Sequence, residues 1–149
     1  IARAAGVPVV VDAGRWKPVM AELIEYGPEL VCSDDFRYPG TSTSRDSAEA
    51  LVATGLDTVV TTHGGDSIRW WRGGESGTVD VPTITAVDTL AAGDVFHGAY
   101  TYYTARDRLS AAGTLPDRLR HSARVAALRF SIVGPRDWLH HLTDLDSGR

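Results

Sequence analysis

Asp88-Thr89-Leu90-Ala91-Ala92-Gly93-Asp94-Val95-Phe96-His97-Gly98 is the stretch on which the fold turns. It follows Val81-Pro82-Thr83-Ile84-Thr85-Ala86-Val87, so a strand-like run passes into small residues and then into a helical pattern. Small side chains let a ligand come close to the backbone. A helix start exposes main-chain N–H groups at the positive end of the helix dipole, an anion site that needs no lysine. Asp94 falls in the first turn, with its carboxylate beside the place an anion would take. Two readings are open here. Phosphoryl transfer needs amides to hold developing phosphate charge and a carboxylate to accept the proton of an attacking hydroxyl. A first-turn acid also simply complements the helix dipole, and spacing alone favours that plainer role.

Working outward, Val95, Phe96, Ala99, Tyr100 and Tyr103 recur at helical spacing. A second helix is expected from about Pro116 to Phe130, with Leu119, Ala123, Ala126, Ala127 and Phe130 inward, and a short terminal helix over Trp138 to Leu142. Upstream, Val7 to Asp12 has the form of a buried parallel strand. Pro18 opens a helix that carries Val19, Met20, Leu23 and Ile24 on one side and closes at Gly27-Pro28. Glu29 to Ser33 reads as a second strand. Thr43 with Asp46 resembles a capping box for a helix ending near Gly55, and Asp57 to Thr62 reads as a third strand. Ile68 to Arg72 and Thr78 to Val81 form a hairpin around Gly73-Gly74. Strands separated by helices argue for a mainly parallel α/β sheet.

The 149 residues fit one domain, and 43% hydrophobic with 23% charged residues is the composition of a globular protein with a real core. Disordered, collagenous and disulfide-stapled classes are excluded on that ground. No apolar run approaches a membrane span, and a net charge of -4 without a basic tract argues against nucleic acid as main partner. Of fifteen basic residues only Lys17 is a lysine, and Pro18 follows it, so no G-x-x-x-x-G-K-[ST] loop exists. The lone Cys32 cannot form an internal disulfide, which makes a reducing cytoplasm the expected compartment. Ile1-Ala2-Arg3-Ala4-Ala5-Gly6 lacks an initiator Met and reads as the last turn of a helix, so the chain is expected to be a piece of a longer one.

Residues 88–98 fill every fixed position of D-T-x-[GA]-A-G-D-x-F-x-G, and thereby resemble the C-terminal signature of the ribokinase-like, or phosphofructokinase-B, carbohydrate kinases. Weaker echoes cover nearly the whole chain. Asp12 with Arg15 and Trp16 is similar to that family's strand-end aspartate segment, Thr62-His63-Gly64 to its T-x-G nucleotide loop, and Gly134-Pro135-Arg136 to its C-terminal cation loop. The resemblance implies the C-terminal portion of a ribokinase-like three-layer α/β sandwich, with a mostly parallel central sheet and helices on both faces. The sugar-binding N-terminal half and lid would lie outside residues 1–149. It further implies Asp94 as the base that deprotonates a sugar hydroxyl, and the amides of Ala91, Ala92, Gly93 and Asp94 as the anion hole for the γ-phosphate. Thr62 and Gly64 would lie along the nucleotide, and the start of the 116–130 helix near the adenine. ATP and a water-bound Mg²⁺ are the implied cofactors. A monovalent cation, K⁺, would sit at Asp88 and the Leu90 carbonyl on one side and the loop around Gly134 on the other. The implied partner is a furanose or ketose sugar, and the resemblance leaves room for a homodimer. A non-catalytic nucleotide-binding regulatory member and a nucleoside kinase are the alternatives.

The sequence also departs from the family pattern. Cys32-Ser33-Asp34-Asp35-Phe36-Arg37 stands where the family often carries N-x-x-E, and either Asp34 or Asp35 substitutes for the Glu or both are turn residues. Ser67 stands in place of the second glycine of the nucleotide loop. Ser33 to Phe36 and Phe96-His97-Gly98 look more like the ketohexokinase and sulfofructose-kinase branch, whereas Ala-Ala-Gly-Asp is the ribokinase spelling. The five histidines lack ligand spacing, so no transition-metal site is expected. Cys32 reads as a buried small side chain, and His97 as cover for the helix surface. Trp70 and Trp71 should point to opposite faces of the hairpin. Arg120 and Arg124 mark a solvated helix face rather than a phosphate clamp.

Overall fold

The computed structural model describes residues 1–2, 4–88, 90–110 and 113–143. The chain divides into two compact units, Ile1–Val79 and Asp80–Arg149.

The first unit is built on a sheet ordered β1 (Val10–Ala13), β2 (Glu29–Ser33), β3 (Thr58–His63), β4 (Asp66–Arg72) and β5 (Glu75–Val79). β1, β2 and β3 pair in parallel, with Val11 opposite Leu30 and Leu30 opposite Val59. β3, β4 and β5 pair antiparallel, so only β4 runs against the other four strands. The sheet is mixed, yet mostly parallel in direction. A two-residue connection, Gly73-Gly74, closes the β4–β5 hairpin. Both glycines have positive φ, 58° and 82°, the backbone that matches the twist of paired strands and that other residues adopt at a cost.

β2 and β3 are buried on both faces, through Leu30, Val31 and Cys32 in one and Thr58, Val59, Val60 and Thr61 in the other. One face carries Ala13, Leu30, Cys32 and Val59, packed with Met20, Phe36, Ala48, Leu51 and Leu56. The helices α1 (Met20–Glu25) and α2 (Ser44–Ala53) supply Met20, Ala48 and Leu51 to that cluster. Val31, Val60, Ile68 and Val79 occupy the alternate positions and are buried too. Trp71 packs against the first cluster, while Trp70, one residue earlier, lies over Gly77 of β5, so the two tryptophans do take opposite faces.

The expected capping box is present: Thr43 Oγ1 accepts the Asp46 N–H, and Asp46 accepts the Thr43 N–H. Other expectations shift. β1 begins at Val10 rather than Val7, because Pro8 has no N–H for a ladder. It is half-buried rather than buried, pairing on one side only among the described strands. α1 begins at Met20, and its six residues bring only Met20 and Ile24 to the core, leaving Val19 and Leu23 exposed.

The second unit holds α3 (Ala92–Ser110), α4 (Leu115–Ser131) and a 3₁₀ turn at Asp137–His141 where a short helix was expected. α3 and α4 pack together through Phe96, Tyr100 and Tyr103 on one side and Leu119, Ala123, Ala126 and Ala127 on the other. Thr114 and Asp117 cap α4 reciprocally, with Pro116 in the first turn. Among the described residues no helix is long and apolar enough to cross a membrane.

Candidate functional site

The start of α3 is held by the end of α4. Phe130, in the last turn of α4, offers its carbonyl to the N–H of Val87 at 2.8 Å and of Asp88 at 3.4 Å. Asp88 then turns the chain with its carboxylate: Oδ1 accepts the Leu90 N–H at 3.0 Å. Its other oxygen, Oδ2, accepts the Arg129 Nη2–H at 2.7 Å. The hydrogen bond from Arg129, and next that from the Leu90 amide, hold the Asp88 carboxyl below the usual carboxylate range. Arg129 is 4% exposed and also donates to the Ile132 carbonyl at 3.3 Å.

From this turn the backbone enters α3 through Ala91, whose φ of 62° is the only positive value at a described non-glycine residue. That conformation costs an L-residue roughly 1–2 kcal/mol, and such outliers persist where surrounding structure imposes them. The signature accepts Gly or Ala at this place, which suits a left-handed backbone. Helical hydrogen bonding starts beyond it, with Val95 N–H donating to Ala91 O at 3.0 Å. The N–H groups of the first turn therefore precede any carbonyl four residues back within the helix. Gly93 lies here, exposed, and a Cβ on it would meet nothing within 4 Å. Asp94 is exposed in the same turn. Ala91, Ala92, Gly93 and Asp94 are thus brought together, with Asp88 and Leu90 directly before them.

The expected monovalent cation at Asp88 and Leu90 does not fit these residues. Both Asp88 oxygens already have protein donors, one of them a permanently charged guanidinium. In the Gly134 loop, expected as the other side of that site, Gly134 has φ 103° and a Cβ on it would lie 2.6 Å from Asp137 Oδ2.

In the first unit, Thr62 and Gly64 lie at the carboxyl end of β3, where open α/β sheets bind ligands. The Thr62 hydroxyl donates to Cys32 O at 3.4 Å, and Gly64 makes the β3–β4 turn at φ 63°. Between them, the His63 Nε2 lies 3.1 Å from Ser44 Oγ and 3.5 Å from Asp34 Oδ1, while its Nδ1 is buried without a hydrogen-bond partner. Both neighbours address the same ring nitrogen, so this is no relay of the serine-hydrolase kind. Asp34 and Asp35 are exposed turn residues. Phe36 N–H closes that turn onto Ser33 O at 3.0 Å, and Arg37 clamps it by donating to the carbonyls of Asp34, Phe36 and Ser42. Cys32 is buried, and burial, with Asp12 second, pushes its thiol up to about 12, which suits a packing residue. His97 is half-buried, its ring edge-on to that of Phe96.

Arg120 and Arg124 are both exposed, as the solvated-face reading has them, whereas the buried Arg118 and Arg129 were missed by sequence reasoning. A signal was present. Arg118, Ser122, Val125 and Arg129 follow one another at helical spacing, and all four are buried.

The profile of the pfkB family of carbohydrate kinases matches residues 2–140. Among solved structures, a candidate ribokinase from Agrobacterium tumefaciens superposes with a TM-score of 0.76 at 25% identity, covering 99% of this chain and 50% of that one. A ribokinase from Thermotoga maritima gives 0.73 at 21% identity, over 98% of this chain and 50% of that one. An aminoimidazole riboside kinase from Salmonella enterica, solved with aminoimidazole riboside and an ATP analogue, gives 0.72 at 21% identity over 98% and 53%. These likenesses show a ribokinase-like α/β fold, and the chain spans about half the length of each of those structures.

Proposed function

Because this chain belongs to the pfkB family of carbohydrate kinases, we propose that it carries the nucleotide-binding and phosphoryl-transfer portion of an ATP-dependent sugar kinase acting in the cytoplasm. The acceptor is a hydroxyl of a furanose or ketose. Asp94 takes the proton from that hydroxyl as its oxygen attacks the γ-phosphorus, and ADP leaves with the electron pair of the breaking P–O bond. The first-turn amides of Ala91 to Asp94 hold the charge that develops on the transferring group, and the missing side chain of Gly93 leaves them uncovered. Thr62 and Gly64 bind along the nucleotide. Mg²⁺ would come with ATP, largely water-bound, and would supply positive charge to the phosphates. Asp34 and Asp35, both exposed after β2, are the carboxylates that would stand in for the family's Glu.

One observation carries this reading: an exposed carboxylate in the first turn of a 19-residue helix, reached through a left-handed alanine that two hydrogen bonds of Asp88 hold in place. The test is ADP release by the intact protein with Mg-ATP and a panel of ketoses, pentoses and nucleosides, alongside Asp94→Asn. Turnover that depends on a sugar and drops by about 10²-fold or more in the variant is expected. Equal turnover in the two proteins would remove Asp94 from the role. Turnover with nucleosides alone would make the acceptor a nucleoside, and ATP binding without any turnover would make the protein a regulatory member.

A further inference from the structure

Arg129 sits where a cation is called for and is built from the chain itself. Arg129 is 4% exposed, its Nη2 lies 2.7 Å from Asp88 Oδ2, and it is joined across 41 residues of sequence to a turn whose described residues are also anchored by the Phe130 carbonyl. The links form a series. Arg129 holds Asp88, Asp88 Oδ1 holds the Leu90 amide at 3.0 Å, and the chain then enters the strained Ala91 and the first turn of α3. Charge-assisted hydrogen bonds are the stronger kind, and a guanidinium is charged at every accessible pH. A second cation beside the same carboxylate would face that guanidinium at close range, and like charges at such a distance repel.

We propose that Arg129 is a positioning residue whose guanidinium serves as a tethered replacement for a monovalent cation at Asp88, so that the anion hole is set without K⁺. The activity arm of this inference rests on the kinase reading above, whereas the cation arm does not. Asp94 and the first-turn amides remain the reacting groups, and Arg129 acts on them only through the turn.

The experiment compares the intact wild-type protein with Arg129→Ala and Arg129→Lys in KCl and in tetramethylammonium chloride at equal ionic strength. It reads kcat, KM for ATP and thermal midpoint. The wild type is expected to show the same rate and the same midpoint in both salts. Arg129→Ala should lose on the order of 10²-fold in kcat, as misplaced catalytic groups do, with little change in KM for ATP. Potassium should restore part of that kcat and raise the variant's midpoint, because the freed carboxylate can then take a cation. Arg129→Lys, which keeps a tethered charge, should stay insensitive to K⁺. A wild type that needs K⁺ for turnover, or that K⁺ specifically stabilises, overturns the proposal, as does Arg129→Ala with undiminished kcat. If Arg129→Ala does not fold, the wild-type and Arg129→Lys comparisons decide alone. Absence of turnover with every sugar and nucleoside would sink the kinase reading only, and the thermal midpoints would still decide this one.

Discussion

Gly77 of β5 stands directly opposite Trp70 of β4, and the indole covers the place where a side chain would begin. A Cβ at Gly77 would lie 2.8 Å from Trp70 Cζ2, 3.0 Å from Cε2 and 3.1 Å from Nε1. Carbon atoms rest at about 3.5–4.0 Å, so Gly77→Ala obliges the ring to withdraw by roughly 0.7 Å. Overpacking of this kind costs about 1–3 kcal/mol. Alanine returns about 0.5–1 kcal/mol by narrowing the unfolded backbone ensemble. The net expectation is a destabilisation of about 1–2 kcal/mol. The decisive measurement is a double-mutant cycle by urea unfolding. In a Trp70→Leu background the clash is gone, so the same Gly77→Ala change should be neutral or stabilise by about 0.5 kcal/mol. Additivity of the two changes within about 0.3–0.5 kcal/mol would refute the argument, since it would mean that the ring does not restrict position 77.

Cys32 should resist alkylation in the folded protein at mildly alkaline pH, because its thiol is buried and held near 12, and should react at once in denaturant. Fast labelling of the native protein, followed by mass spectrometry, would contradict its packing role. The Asp117 carboxyl is held below its ordinary range first by the Thr114 hydroxyl and then by the Thr114 amide. A depressed value of this kind stabilises the fold above the ordinary carboxylate pKa of about 3.9, and the contribution disappears as pH falls through the depressed value. Asp117→Ala should therefore cost about 1 kcal/mol at neutral pH, the partly exposed group being screened, and the gap to wild type should close in acid. A gap that stays constant with pH, read from denaturation midpoints, would contradict that linkage.

How far the fold could be read without coordinates follows from the range of the forces involved. The Thr43–Asp46 box, the Gly73-Gly74 turn and the strand Glu29–Ser33 rest on chemistry within a few residues, and each stands where residue types placed it. The same holds for the helix that opens after Ala91, whose signature is contiguous in sequence. α1 was overread because periodicity counts apolar residues without knowing how many a six-residue helix can bury. Arg129 was passed over because its partner Asp88 lies far away along the chain, and an arginine on a helix reads as solvated until something is known to face it.

Amino-acid order alone thus determined the local elements, the capping, the turn glycines and the family signature, since all of these depend on neighbours close in sequence. Tertiary structure alone decided which tryptophan took which face of the sheet and which arginines were buried. It also decided that His63 would lie between Ser44 and Asp34 and that the Asp88 carboxylate would meet a guanidinium. Those outcomes depend on which distant groups share one small volume once water is excluded. Ion pairing and burial act through space and leave no periodic trace along the chain.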